Sequence, residues 1–513
     1  MYFNFIIVAS ALMGYVSLSQ EILWINVINY ATGSDPRVFG HVLGCFLFGI
    51  AFGALTGKRL CEKEYINTIT FVALVMSASS ILYYLSVPAI CKVMVYSKSY
   101  AMMFSYLYVA VIAFLSGNVF PILSHAGISQ TSKVGVSVSW IYSANIVGST
   151  IGPIITSFVL LDYFKIEHVF LFISIMTIVA ALVFWIASPV KLYVKVLALL
   201  CLSIVSIWMC YVNGLVYVDI FEKLHYKESY NNRDPYKYIV QNRHGIVSVE
   251  GGKTDTLYGG GIYDGGFNLD PVLNTNGIAR AYKIGALHPR PQSAFEIGLG
   301  SGSWAKAMLM HEDMRELIVT ELNPAYAQLI RHYPDIADIL DDPRMRIYYT
   351  DGRQWLKSNP DRKFDVILIN VWHWRNFASH LLSVDFFEIC KQHLTPGGIL
   401  YVNTTGSREV VETVKGLFNH TFRFGSYVAG SDTSFIADVE EKRKNLLKFR
   451  LNGKPIFSPD DPRVLKTLNL LSADEFYVKP DFIPAVKPPI ITDDNMAVEF
   501  PKTNNFGLRR NYK

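Results

Sequence analysis

Between Glu296 and Asp351 the chain sets out a glycine triplet and two isolated acids, each at the end of an apolar run. The run AFEIG leads into Gly298-x-Gly300-x-Gly302, and a helix-like run follows. A second run, LIVT, ends at Glu321, and a third, MRIYYT, ends at Asp351 and Gly352. Glycines let the backbone come close to a ligand and open a helix N-terminus. An acid at the next strand end can accept from both hydroxyls of a ribose, and a second acid can accept from an adenine amino group. Three such strand ends at the carboxyl edge of a parallel sheet are what a nucleoside-bearing ligand requires. The pattern is E-x-G-x-G-x-G, not the dinucleotide pattern G-x-G-x-x-G.

These loops need a scaffold, and the sequence supplies two kinds. From about 281 onward, strands and helices alternate: AFEIG, WAKAMLM, LIVTE, PAYAQLI, RIYYTD, FDVILIN, DFFEICKQHL, GILYVNT. Such alternation predicts an α/β domain, a parallel sheet with helices on both faces, over 281–513. Ahead of it, 215–280 reads as a linker and a small β-hairpin module, with GGG at 259–261 as a turn. The GGK at 251–253 lacks the rest of a phosphate loop. The tail beyond 440 carries no motif.

Residues 1–214 are different. Seven apolar runs, near 4–28, 38–57, 66–91, 100–123, 134–160, 167–188 and 191–213, are each about long enough to cross a hydrocarbon core roughly 30 Å thick. A backbone in lipid must satisfy its own hydrogen bonds, so these are predicted to be helices of a multispan membrane domain. The first run has no basic leader and is followed by further spans, unlike a signal peptide. The chain has 513 residues, 51% of them hydrophobic, too apolar for one soluble enzyme. Its charge of +5 is mild and spread out, which gives nucleic acid no basic face to bind.

Gly49, Gly53 and Gly57, with Gly40 and Gly44 before them, suit close helix contact, as do the small residues from Ser137 to Gly152. Asn118 and Pro121 predict a kink. Glu21, beside Gln20 inside the first span, is a membrane polar site, because a carboxylate at that depth must face protein or a wet cavity. Six scattered cysteines form no C-x-x-C pair and read as buried reduced thiols. His311, His332 and His380 have no metal-ligand spacing, and no metal is expected.

The glycine motif resembles the first motif of class I S-adenosylmethionine-dependent enzymes. HPRP at 288–291, the glycine motif, TELNP, DDPR at 341–344, TDG at 350–352, FDVIL and LTPGGILYVNT are together similar to the spermidine synthase family of aminopropyltransferases. The likeness runs from about 236 to 420. QEILW, GCFLFGIAFGALTGKRL and the segment from SGNVFP to IVGSTIGP resemble the membrane region of bacterial proteins that fuse multispan helices to such a domain. The resemblance implies a class I methyltransferase-like sheet. It also implies S-adenosylmethionine or its decarboxylated form as co-substrate, bound by Gly298, Gly300, Gly302, Glu321, Asp351 and Gly352.

The acceptor side departs from the family. Where the family has a catalytic aspartate, and another three residues on, this chain has Asn370 and His373. An amide cannot take a proton, so His373 is the candidate base. The family's Tyr-Gln pair is Tyr236-Lys237 here. Tyr282 is kept without its acids, and a family glutamate is Ile284. Tyr236, Lys237 and Tyr282 are the candidate acceptor residues, and a pocket with Lys237, Arg280 and Ile284 suits a polycation poorly.

The reading is a membrane-anchored transferase with a small-molecule or membrane-embedded acceptor. The alternatives are a methyltransferase and a sensor or transporter-like protein that binds an adenosyl ligand without turnover. The lipid bilayer is the expected partner, and a homo-oligomer is left open. The basic residues fall about equally on both sides of a seven-span arrangement. The C-terminal domain is therefore assigned to the cytosolic side of a bacterial inner membrane because S-adenosylmethionine is made there.

Overall fold

Helices α1 (Tyr2–Thr32), α2 (Arg37–Cys61), α3 (Thr68–Tyr96), α4 (Lys98–Gly117), α5 (Val119–Gly127) and α6 (Val134–Ile155) open the chain. A π-turn (Thr156–Leu160), α7 (Leu161–Tyr163), α8 (Ile166–Ala187), α9 (Leu192–Val216) and α10 (Ile220–Tyr226) follow. The structure is a computed structural model and describes residues 2–63, 67–128, 134–371, 378–473 and 488–496. With α4–α5 and α6–α7 each taken as one rod, seven helices among the described residues are long and apolar enough to cross a membrane, and each predicted span lies over one of them.

The kink read from Asn118 and Pro121 occurs at Asn118, where α4 gives way to α5. The Asn118 amide donates back to Phe114 O at 2.7 Å. Pro121 falls in the first turn of α5, where its missing N–H costs no helical bond. Pro153 in α6 likewise offers no N–H, and the π-turn follows within the next turn.

Glycines set the closest helix contacts. A Cβ at Gly49, Gly53 or Gly57 would lie 2.4, 2.2 or 2.7 Å from a carbonyl oxygen of Ala110, Phe114 or Asn118. At Gly148 and Gly152 of α6 it would lie 1.8 and 2.5 Å from Ala11 O and Tyr15 O of α1. Gly40 and Gly44 do not share this role, since nothing lies within 4 Å of a Cβ there. The buried stripe of α2 runs through Val38, Val42, Phe46, Gly49, Gly53 and Gly57. Gly40 and Gly44 follow Val38 and Val42 by two residues and so sit about 200° round the helix from them. The cysteines are free, but Cys201 and Cys210 are exposed on α9 rather than buried.

Four short strands, β1 (Tyr236–Asn242), β2 (Gly245–Glu250), β3 (Thr256–Gly259) and β4 (Ile262–Gly266), form a sheet in that order. Gly260 and Gly261, with φ of +57° and +77°, make the two-residue turn between β3 and β4. The chain divides into two compact units, 1–246 with 260–262, and 247–259 with 263–513. The division thus falls near 246, not at 214 or 280. Composition tracks where polarity changes, whereas compactness tracks what packs with what.

The second unit continues with α11 (Ala279–Tyr282), α12 (Ile284–Leu287), β5 (Ser293–Ile297), α13 (Ser303–Leu309), β6 (Glu316–Thr320), α14 (Ala325–Ile330), α15 (Pro334–Ala337) and β7 (Met345–Tyr348). Then come α16 (Gly352–Ser358), β8 (Phe364–Ile369), α17 (Val384–Gln392), β9 (Leu394–Asn403), α18 (Arg408–Leu417), β10 (His420–Phe424) and β11 (Tyr427–Ser431). Seven strands form one sheet in the order β10-β11-β9-β8-β5-β6-β7. The five from β9 to β7 run parallel, and β10 and β11 are antiparallel additions. Phe295, Ile297, Ile318, Phe364, Ile367 and Leu400 are among the buried core beneath the helices. The predicted α/β domain is therefore present, a Rossmann-like sheet of the class I methyltransferase type.

Candidate functional site

Strand register brings the predicted loops level with one another. Ile297 of β5 pairs with Thr320 of β6 and with Ile369 of β8, and Ile369 pairs with Val402 of β9. The next residue on each strand is therefore Gly298, Glu321, Asn370 or Asn403, side by side along the carboxyl edge. The chain winds outward from β5 to β6 and β7, then returns to β8 on the other flank of β5. That reversal makes the β5/β8 boundary the switch point where an open α/β sheet leaves a crevice.

Gly298, Gly300 and Gly302 all have positive φ, +93°, +52° and +72°, which an L side chain rarely adopts. Glu321 faces this loop. Its Oε2 accepts from Leu299 N at 2.9 Å and its Oε1 accepts from Asn323 N at 2.9 Å. Burial pushes its carboxyl up from the usual range, while the backbone N–H groups of Asn323 and Leu299 act in the opposite sense. Each carboxylate oxygen has a second lone-pair direction, so the group can hold the loop and still accept from a ligand.

Asp351 caps α16, accepting from Gln354 N at 2.8 Å, and lies 3.6 Å from His380 Nε2. His380, together with the helix N–H groups, holds its carboxyl below the usual range. Gly352 is needed for space rather than for φ, since a Cβ there would meet Ile297 Cδ1 at 2.8 Å and Thr320 Oγ1 at 2.9 Å. Asp351→Ala should cost the second unit about 1 kcal/mol through the lost cap, and Asp351→Asn, which keeps a capping oxygen, should cost less. A depressed carboxyl stabilises the fold above its unfolded value and loses that effect as pH falls through its folded value. The charge-dependent part of the difference should therefore be complete at pH 7 and close below the ordinary value of 3.8. Urea midpoints at pH 7 and pH 3 measure it.

On the β8 side of the glycine loop lies a cavity lined by Arg280, Ser301, Trp304, Asn370, Asn403 and Tyr427, with Tyr263 and Asp264 at one wall. Tyr427 Oη donates to Asn370 Oδ1. The Tyr427 ring stacks on Trp304 at 4.8 Å and carries the Arg280 guanidinium 5.1 Å above its centre. Behind Asn370 sits Glu296, fully buried, with no hydrogen-bond partner on either oxygen among the described residues. Burial holds its carboxyl well above the usual range, and the nearby Asn370 amide offsets this only in part. Asp264 accepts from Tyr326 Oη, and burial pushes its carboxyl up to about 7.

The other predicted residues go elsewhere or fall outside what is described. His373 lies within 372–377, outside the described residues. Tyr282 does not face the cavity: it is fully buried, donates to Leu269 O at 2.8 Å and packs edge-on against Phe449 and Phe457. Ile284 is a core residue. Tyr236 and Lys237 belong to the first unit, where Tyr236 Oη bonds Tyr30 Oη at 3.1 Å and Lys237 Nζ lies 5.7 Å over the Tyr238 ring. Glu21 is in the first unit, 4% exposed on α1, next to Gln20, whose amide atoms have no described partner.

Asp264, Trp304, Asn403 and Tyr427 were not anticipated as site residues. Asn403 had a usable signal, because it ends an apolar run as Glu321 does. Tyr427 had none, since it starts an antiparallel strand far along the chain.

Fold and crevice thus define a Rossmann-like domain of the class I methyltransferase type. Residues 283–429 match the model of the spermine/spermidine synthase domain, and the C-terminal region is a domain of that family. The chain is similar to the polyamine aminopropyltransferase of Leptospira biflexa, 32% identical over 114 residues, which cover 22% of this chain and 40% of that one. This match thus spans less than half of that relative's length. The similarity to the polyamine aminopropyltransferase of Oceanobacillus iheyensis is longer and weaker, 22% identical over 441 residues and 80% of each chain. Among solved structures, the spermidine synthase from Thermotoga maritima is similar at 19% identity and a TM-score of 0.35, over 46% of this chain and 87% of that one.

Proposed function

We propose that this protein is a membrane-anchored transferase that draws an alkyl group from an S-adenosyl donor, nominally aminopropyl from decarboxylated S-adenosylmethionine, or the carboxylate-bearing equivalent from S-adenosylmethionine itself. The observation that carries this reading is the Glu321 carboxylate bonded to the glycine loop at Leu299 N, at the switch point of the sheet. The aminopropyltransferase relatives support the reaction class. In such a transfer a neutral amine attacks a carbon beside a sulfonium, and much of the rate can come from alignment. The seven long apolar helices support anchoring in a bilayer, with the second unit in the cytosol where the donor is made. The acceptor is a small molecule or a membrane-embedded one.

Product analysis tests it. The full-length protein, given either donor and an acceptor panel, should release methylthioadenosine. S-adenosylhomocysteine would mark methyl transfer instead. Asn370 favours a second reading, ligand binding without turnover, because an amide bonded to Tyr427 cannot accept a proton. Release of neither product, across a broad acceptor panel, would favour that reading.

Asn370→Asp separates these cases. It would set a second carboxyl beside Glu296, and close carboxyls resist joint ionisation, so one of the pair should stay protonated to higher pH. The variant should gain polyamine-dependent methylthioadenosine release that rises with pH. An unchanged rate would mean that the acceptor pocket, not the missing base, is the obstacle.

A further inference from the structure

Among the described residues, the lining of the cavity beside the glycine loop holds one cation, Arg280, and one carboxyl, Asp264. Arg280 donates from Nε to Gly277 O at 2.9 Å, from Nη2 to Asn276 O at 3.1 Å and from Nη1 to Ser426 Oγ. These acceptors are neutral, and they occupy three of the five N–H groups of a guanidinium. Among the described residues no carboxylate pairs with Arg280. The Tyr427 ring beneath it fixes its plane. The rest of the described lining is amide, hydroxyl, aromatic, Leu299 and glycine, apart from Asp264, one of whose two oxygens accepts from Tyr326 Oη. An ammonium group entering here would meet a like charge, whereas a planar anion would meet a guanidinium fork with donors to spare.

Position adds to composition. Glu321 and Asp351 stand on the β6 and β7 side of the glycine loop, and the cavity opens on the β8 and β9 side. A nucleoside whose ribose is held at Glu321 would send its 5′ substituent past Gly300 toward Arg280.

Resting on the adenosyl reading above, we propose that this cavity binds a carboxylate on Arg280. One of the two substrates is then an amino acid-like molecule. The carboxylate belongs either to the donor, as S-adenosylmethionine with its α-carboxylate intact, or to the acceptor.

Calorimetry on the full-length protein in detergent tests this with paired probes. Methylthioadenosine, which lacks any carboxylate, should bind wild type and Arg280→Gln equally and so reports on fold and nucleoside site. If the carboxylate is the donor's, S-adenosylmethionine should bind wild type roughly 10- to 100-fold more tightly than its decarboxylated form, the range of one charge-assisted pair. Arg280→Gln should erase that preference, and Arg280→Lys should keep part of it. If the carboxylate is the acceptor's, the two donors should bind alike. The methylthioadenosine-saturated protein should then prefer 4-aminobutyrate to putrescine, again only with Arg280 present. Equal binding within both pairs, tighter binding of the cationic member, or a preference that survives Arg280→Gln overturns the proposal while leaving the nucleoside site intact. Failure of methylthioadenosine to bind wild type would overturn both readings.

Discussion

Alanine in place of Glu321 should lower the affinity for methylthioadenosine or S-adenosylmethionine by roughly 100-fold or more, the effect of losing two hydrogen bonds to a charged acceptor. Two losses coincide at this side chain. Its oxygens would no longer be available to a ribose, and Leu299 N and Asn323 N would each lose an acceptor held at 2.9 Å. Removing the acceptor of a buried N–H group costs about 1–3 kcal/mol where no other takes its place, so the second unit should also melt earlier. Glu321→Gln refines the test. It preserves size and one acceptor oxygen, but it presents an NH2 group to a backbone N–H, so the glycine loop should still be released. Calorimetry gives the affinity and thermal denaturation gives the stability. An Ala variant that binds within threefold of wild type would remove Glu321 from the site and the adenosyl reading with it.

Gly148→Leu should be the most damaging single change in the helical unit. A Cβ there would sit 1.8 Å from Ala11 O, inside any van der Waals contact, and the obstacle is backbone that cannot rotate away. Overfilling a packed site costs about 1–3 kcal/mol even where neighbours can shift. Here α1 and α6 would have to separate along their length, which also opens the close approaches of Gly14 to Asn145 O and of Gly152 to Tyr15 O. Helices in lipid associate largely through such close packing, with no hydrophobic gain to compensate. The expected result is loss of a monodisperse peak in detergent and a sharply lower melting temperature. Gly40→Leu, placed where a Cβ meets nothing within 4 Å, is the matched control and should behave as wild type. Identical elution and melting for both variants would contradict this account of the α1–α6 contact.

What could be read from the chain alone was local. Seven apolar stretches define seven helices because lipid-length hydrophobicity is a property of consecutive residues. The glycine triplet, Glu321 and Asp351 stood out because each follows an apolar strand, and strand register sets Gly298 level with Glu321, with Asp351 two residues beyond that level. The kink at Asn118 and the turn at Gly260-Gly261 likewise depend on near neighbours.

Everything set by non-local pairing needed the fold. Tyr282 looked like an acceptor contact and is instead a core residue bonded to Leu269 O, since burial depends on what packs against a helix rather than on its sequence. Gly40 and Gly44 match Gly49, Gly53 and Gly57 in spacing but lie off the buried stripe. Arg280, Asn370, Asn403 and Tyr427 are separated by 24 to 147 residues, and the last three meet because β11 folds back on β9 and β9 pairs with β8. The Glu321 side of the crevice follows from strand ends in sequence order. The Arg280 side is assembled across strands out of order, so its set of described lining residues, with Arg280 and Asp264 as the charged types, exists only in the folded chain.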